Sequence, residues 1–500
     1  MDRKSGILLH ISSLPGDYGI GDLGPCAYAF VNQLEVMKQS YWQILPTNDI
    51  NENFSPYDTT SAFAQNPMLI SLDLLLKNQL LYENELNFDL NVNSEKIDFE
   101  KIESLKMPII ERAAVRYIDK MKSNGSTEFD NFCKDNEFWL NSFACFKVLK
   151  NKFGKLPWYK WGKKYRRFNQ KVLIQCNEFF HDELDIIKVI QFFFSVQWND
   201  LKSYSKCKGI KLIGDLPIYV SHDSADVWSN QNLFKLHENG RMVVKSGCPP
   251  DYFMDEGQLW GHPIYNWEEH EKDHFKWWIS RVSFLSGLVD MIRFDHFNGL
   301  LKYWEIPAEN SNAIDGVWVS GPAYKFIDIL YEEVYDLKII AEDLGELSHE
   351  VESLRKIKNI PGMQVFQFFY DQLSKDLKED KILYTGTHDN NTLIGWYDEN
   401  IKSKISKNNV GEFQSEELKE IFIEGGNQIN WSIIKFCMET KYPVVIFPLQ
   451  DVIGLKSESR MNVPGTLTEK NWSWRYCAGD LNDHIIKKMK LLTQNTSRAQ

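Results

Sequence analysis

The segment GLVDMIRFDHFNGL, residues 287–300, places Arg293, Asp295 and His296 directly after an apolar run. Two other segments have the same form. AEDLG brings Glu342, and THDN brings His388 and Asp389, each at the end of an apolar run. Three carboxylates presented in this way suit the cleavage of a glycosidic bond. One attacks or stabilises the anomeric carbon, another protonates the leaving oxygen, and a third holds sugar hydroxyls while charge builds on the ring. Arg293 precedes Asp295 by two residues and so shares its strand face, where a guanidinium keeps a carboxylate ionised. Glu342 needs the opposite treatment, a raised pKa and a proton to give. His296 and His388 stand beside acidic residues and can donate to sugar hydroxyls. Two other readings of these residues remain open. A strand-end carboxylate also serves as a cap or an ion-pair partner, and His10, His296, His388, Asp295 and Asp389 are a possible metal ligand set, although no HxH or HExxH spacing occurs. Asp343, next to Glu342, is expected on the other side of its strand in a structural role.

Elements that would carry these groups are visible as short apolar runs bounded by turn residues. They are GILLHI (6–11), YWQIL (41–45), IKLIGD (210–215), VDMIRFD (289–295), LKIIAED (337–343), MQVFQFF (363–369), ILYTGTHD (382–389) and VVIFPLQD (444–451). Runs of this kind read as strands buried on both faces, with helical patterns between many of them. Eight such strands with helical crossovers predict an α/β fold, a (β/α)8 TIM barrel with helical and loop-rich insertions between barrel strands. Five of the eight runs end in Asp or Glu. Barrel enzymes build their sites at the C-terminal ends of strands, so a polar cluster belongs there.

The chain is read as a single catalytic barrel over 1–500, with two insertions. Residues 75–185 form a helical one, in which Ile110, Ala113, Ala114, Tyr117 and Ile118 make an apolar stripe at helical spacing. Residues 230–275, rich in Gly, Pro and aromatics, form a loop-rich one over the active site. Its PPDYF stretch is expected to expose Tyr252 and Phe253 on a stiff turn.

Composition narrows the partners. The 500 residues carry a net charge of −12 and are 43% hydrophobic, which argues against a nucleic-acid or anionic-membrane surface and allows a large core. No apolar run approaches the roughly 18 residues of a membrane-spanning helix. The apolar run before His10 is only four residues, too short for a signal peptide. The eight cysteines show no CxxC spacing and read as reduced thiols of a cytoplasmic protein. The stretch GIGDLG matches a dinucleotide-binding pattern through Gly19, Gly21 and Gly24, but it does not follow its strand directly, and Asp22 would repel a pyrophosphate. A loop needing positive-φ glycines is the reading adopted.

Several longer strings, in order, resemble the 4-α-glucanotransferases of the amylomaltase or disproportionating-enzyme type, within the wider α-amylase-like group of barrels. They include GILLHISSLPGDYGIGDLG, SPYDTTSAFAQNPMLISL, GDLPIYVSHDSADVW, PPDYFMDEGQLWGHPIYNW, RFDHFNG, AEDLG, GTHDNNT and PLQDVIGLKSESRMNVPGT with NWSWR. The resemblance implies a retaining transfer of an α-1,4-glucan segment to the 4-hydroxyl of glucose or another glucan through a covalent intermediate. It implies no cofactor and no metal. Asp295 would be the nucleophile with Arg293 as its partner, Glu342 the general acid/base and Asp389 the transition-state stabiliser beside His388. Ser55, Tyr57, Asp215, Asp251, Tyr252, Phe253, Gln258, Trp260, Asn462 and Pro464 would hold the glucan, with His296. The chain departs from the family pattern at Thr47, Asn48 and Asp49, at Asp58 and at Asn298, none of them in the carboxylate trio. A hydrolase remains the alternative within the same chemistry, because water and a sugar hydroxyl attack the same intermediate. A non-catalytic glucan-binding protein is the alternative outside it. The expected partners are a glucan donor and a glucose or maltooligosaccharide acceptor, with no nucleic acid and no membrane, and the expected state is a monomer or weak homo-oligomer.

Overall fold

The computed structural model describes residues 3–87, 95–250, 255–345, 349–376, 380–406 and 415–499. Twelve strands are present among them. In chain order they are β1 (Lys4–Leu8), β2 (Tyr41–Gln43), β3 (Lys211–Leu216), β4 (Val244–Cys248), β5 (Gln258–Pro263), β6 (Met291–Phe294), β7 (Lys302–Pro307), β8 (Val317–Ser320), β9 (Ile339–Ala341), β10 (Gly362–Val365), β11 (Lys381–Tyr384) and β12 (Val444–Pro448). Eight of them pair in parallel in the order β10-β11-β12-β1-β2-β3-β6-β9. The two ends of that order meet where Ala341 N–H donates to the Pro361 carbonyl at 2.8 Å and Met363 N–H donates to Asp343 Oδ1 at 2.8 Å. The fold is therefore a (β/α)8 barrel, and its strands are the eight apolar runs read from the sequence.

The strands are shorter than those runs. β6, β10 and β12 are buried throughout, as strands covered on both faces must be. Pairing stops where the polar residues begin. Asp295 and Glu342 follow their strands by one residue, and Asp389 follows Tyr384 by five. Three runs continue as helical turns, at Ile11–Ser13, Phe366–Phe369 and Leu449–Ile453, because an apolar run alone does not separate a buried strand from a buried helix. Asp343 lies beyond its strand and is fully buried against Arg355 Nε at 2.7 Å, a structural pair.

Six helices lie between β2 and β3: α2 (Leu72–Lys77), α3 (Phe99–Asn124), α4 (Thr127–Asp135), α5 (Glu137–Lys152), α6 (Gln170–Phe179) and α7 (His181–Cys207), while α1 (Pro25–Val36) joins β1 to β2. Ile110, Ala113 and Ala114 of the α3 stripe are fully buried. Two buried glutamines fasten α7 to the chain after β2. Gln191 exchanges two hydrogen bonds with the backbone of Gln65 (2.7 and 2.8 Å), and Gln197 does the same with Ser71 (2.7 and 3.1 Å). The two contacts share one six-residue spacing, so peptide groups of this segment that no strand pairs are satisfied by side chains.

Residues 230–275 are more regular than expected. They contribute β4 and β5, which pair antiparallel with β7 and β8 in the order β5-β4-β7-β8. Gly247, Gly257, Gly261 and the prolines hide the strand alternation, and the second partner of β4, β7, arrives only after β6. In the GIGDLG loop only Gly19 takes a positive φ, 76°. Gly21 is required instead by close approach, since a Cβ there would sit 2.0 Å from the Ile11 carbonyl oxygen. Asp22 is buried against Lys106 of α3 at 3.5 Å, and Lys106 also donates to the Met68 carbonyl at 2.7 Å. Among the described residues no helix is long and apolar enough to cross a membrane.

Burial pushes the Asp22 carboxyl up and the Lys106 amine down, and each opposes the shift of the other. Lys106→Met is therefore expected to cost about 3–5 kcal/mol in a urea titration at neutral pH, because it strands a buried carboxylate. The loss should shrink as pH falls and Asp22 takes up a proton. An unchanged unfolding midpoint at neutral pH would mean that the pair does not hold the insertion to the barrel.

Candidate active site

β3 and β6 are neighbours, and their register sets Asp215 directly beside Arg293. Arg293 Nη1 donates to both oxygens of Asp215 at 2.7 Å and to Asp295 Oδ1 at 3.0 Å. Burial works against the charge of Arg293, but Asp215 and Asp295 outweigh it and hold the guanidinium well above its ordinary range. The cation is permanent, and it lies one contact from the strand-end carboxylate.

Tyr57, on the loop after β2, donates to Asp215 Oδ2 at 2.7 Å. Its ring stacks on His388 (centroids 5.0 Å apart) and leans on Trp472 at 5.6 Å. Burial, and then the charge of Asp215, raise the phenol well above its usual pKa, so it remains a donor. His388 places Nδ1 3.5 Å from the Tyr57 hydroxyl and Nε2 3.5 Å from Asp389 Oδ2. Asn462 closes this side. Its backbone N–H donates to the His388 carbonyl at 3.1 Å, and its Nδ2 donates to Asp389 Oδ1 at 2.6 Å. Arg460 donates to the carbonyl oxygens of both Asp389 and Asn462.

Glu342 accepts the backbone N–H of His296 at 2.7 Å and that of Leu344 at 3.1 Å. His296 has φ 47°, a left-handed conformation that costs a non-glycine residue about 1–2 kcal/mol. With that backbone, its N–H reaches the Glu342 carboxyl while its ring meets Trp260 edge-on at 4.9 Å. Burial lowers the imidazole pKa against the pull of Asp295. Burial also raises Glu342 to about 7, helped by the charge of Asp295 and resisted by Arg293 and the two N–H groups.

Exposure separates the carboxylates. The side chain of Asp215 is fully buried, Asp295 keeps 26% exposed and Asp389 44%. Asp215 is thus enclosed by Arg293 and Tyr57, whereas Asp295 and Asp389 are open to a ligand.

The remaining sequence-derived residues fall around this cluster. Gln258 Oε1 accepts from Trp260 Nε1 at 3.2 Å on β5. Ser55 Oγ accepts from Tyr57 N–H at 3.2 Å and shapes its turn, and Pro464 is exposed two residues after Asn462. Asp251, Tyr252 and Phe253 lie outside the described residues. His10 is buried beside a small cavity of about 30 Å³ that His388 also lines, and burial lowers its pKa to about 3. Among the described residues no group of three or more His, Cys, Asp or Glu side chains is placed to hold a metal ion. Sequence reasoning missed Trp472 and Arg460. Both lie in quoted strings, NWSWR and SRMN, but nothing local ties them to a strand end. The departures are absorbed structurally. Asp49 pairs with Lys147 at 2.8 Å, Asp58 accepts from Asn51 at 2.8 Å and Asn53 at 2.6 Å, and Asn298 donates to the Leu344 carbonyl at 3.2 Å.

Carboxylates differing in exposure and in hydrogen-bond partners, at the C-terminal mouth of a (β/α)8 barrel, define a protein equipped for glycosidic-bond chemistry. Residues 9–480 match a glycoside hydrolase family described as 4-alpha-glucanotransferase, and the chain belongs to that family. The 4-alpha-glucanotransferase of Streptococcus pneumoniae serotype 4 is 38% identical over 98% of this chain and 96% of its own length. That of Clostridium butyricum is 37% identical over 98% of this chain and 100% of its own. The amylomaltase of Streptococcus agalactiae, solved in complex with acarbose, superposes with a TM-score of 0.91 at 33% identity, each chain covered in full.

Proposed function

We propose that this 4-α-glucanotransferase works by double displacement, with Asp295 as nucleophile, Glu342 as acid and base, and Asp389 as stabiliser of the charged ring. Asp295 attacks the anomeric carbon of the donor while protonated Glu342 gives its proton to the departing glycosidic oxygen. This leaves a glycosyl ester on Asp295 and a free shorter sugar. The 4-hydroxyl of an acceptor then gives its proton to the Glu342 carboxylate and attacks the same carbon, which restores the α configuration. Asn462 and His388 hold Asp389 against the ring, Arg293 orders Asp295, and Tyr57 fixes the buried Asp215 behind Arg293.

The observation that carries this reading is the state of Glu342. Its pKa, near 7, is raised by burial and in part by the charge of Asp295. Esterifying Asp295 removes that charge. Glu342 is then easier to ionise when it must act as a base, so one residue serves both half-reactions. The trio lies on one chain, so the reaction needs no second copy, and we take the enzyme to act as a monomer or weak oligomer. Eight free cysteines support a reducing, cytoplasmic setting. The acarbose complex of the streptococcal relative supports a saccharide ligand.

Incubation with maltotriose alone tests the reading. Glucose together with oligomers longer than maltotriose is the expected product pattern. Glucose and maltose without longer products would make the enzyme a hydrolase, and no product at all would leave a glucan-binding protein.

A further inference from the structure

Nine residues, Thr385 to Leu393, carry His388 and Asp389, and both ends of this loop meet one side chain from the segment after β12. Asp451 stands on the helical turn directly after β12. Its Oδ2 accepts from Thr385 Oγ1 at 2.7 Å and its Oδ1 accepts from Leu393 N–H at 2.7 Å. Its own carbonyl accepts from Asn430 Nδ2 at 2.8 Å, which ties it to the helix Ile429–Glu439. Only 1% of the residue is exposed. We propose that Asp451 is a positioning residue for Asp389, and that its ionised form, by fastening both ends of the loop, is the one that permits transfer.

The geometry explains why charge matters here. An ionised carboxylate accepts two hydrogen bonds and cannot donate. A protonated one must turn a donor toward Thr385, reversing that contact at one end of the loop. The inner part of the loop is fixed by short-range bonds, such as Thr387 Oγ1 to Asn390 Oδ1 at 2.8 Å, so it moves as a unit when an end shifts. The groups facing Asp451 are few. Cys437 comes from the helix Ile429–Glu439, its thiol pushed up by burial and then by Asp451. His10, His388 and Arg460 line the same cavity. Burial raises Asp451 to about 7, and only the Thr385 hydroxyl and the Leu393 amide oppose it. The carboxyl therefore changes state near neutral pH.

This inference rests on the proposed role of Asp389, and its test separates the two. Asp451→Asn holds the neutral hydrogen-bond pattern at every pH. Transfer on maltotriose should resemble wild type near pH 5.5 and fall about tenfold below it in kcat near pH 8, with KM within about twofold. Thr385→Val removes a bond to the ionised form, so the rise of kcat with pH should move upward, and Thr385→Ser should restore it. A ratio of variant to wild type that is constant with pH would overturn the proposal. A second arm needs no catalysis. The folded pKa of Asp451 is raised above an unfolded value of about 4, so the native state holds a proton that the unfolded state lacks. Wild-type stability should fall as pH rises from about 4 to 7, and Asp451→Asn should flatten that slope. Equal slopes would also overturn the proposal. Failure of the maltotriose reaction in wild type would count against the enzyme reading and leave this second arm standing.

Discussion

Asp295→Asn is expected to lower transfer on maltotriose by roughly four to six orders of magnitude while the protein still folds. The amide keeps the shape of the side chain but lacks an anionic oxygen to bond the anomeric carbon. Among the described residues no other exposed carboxylate of the cluster is positioned to take over, because Asp389 is held through Asn462 and Asp215 is enclosed by Arg293 and Tyr57. The fold should tolerate the change for a related reason. Arg293 loses one contact at 3.0 Å but keeps two at 2.7 Å to Asp215, so no buried cation is stranded. Product analysis gives the rate and a thermal melt gives the fold. A variant that melts like wild type and still disproportionates maltotriose at a near-normal rate would remove Asp295 from the role of nucleophile. A variant that is dead only because it is unfolded would show it in the melt.

The same contacts show how far the sequence could be read. Arg293 and Asp295 are two apart on one strand, so local geometry predicts their contact, and the structure has it. The stronger partner of Arg293 is Asp215, which lies 78 residues away and meets it only through the register of β3 on β6. Register depends on packing across the whole sheet, and no window of sequence contains it. The barrel strands were legible because burial on both faces leaves continuous apolar runs. Their ends were not, because apolar residues continue into helical turns at Phe366 and Leu449. The antiparallel sheet of β4, β5, β7 and β8 was hidden for two reasons. Its strands are interrupted by glycine and proline, and the pair that joins its two hairpins, β4 with β7, is far apart in the chain. The raised pKa of Glu342 was required by the chemistry, but its cause, burial helped by the charge of Asp295 and resisted by Arg293 and two backbone N–H groups, depends on packing that no local window contains.

Glu342→Gln is expected to slow transfer from maltotriose by about 100- to 10,000-fold, the usual contribution of a positioned acid and base. The loss should depend on the leaving group. A sugar alkoxide cannot depart without a proton, whereas fluoride can. With an α-glucosyl fluoride donor the first step should therefore recover most of its wild-type rate, seen as fluoride released in the first turnover. The second step still needs a base, so turnover after that first release should remain slow, and the glycosyl ester on Asp295 should accumulate. The pH profile gives an independent check. Burial raises the Glu342 carboxyl to about 7, so the acid form that starts the reaction is lost as pH rises through that value. Wild-type kcat/KM on maltotriose should decline above about pH 7, and Glu342→Gln with the fluoride donor should lack that alkaline limb. Equal losses on the two donors would mean that Glu342 does not deliver the proton. The assignment of the acid would then have to move to another group in the cleft, with Asp389, the more exposed of the two remaining open carboxylates, as the first candidate.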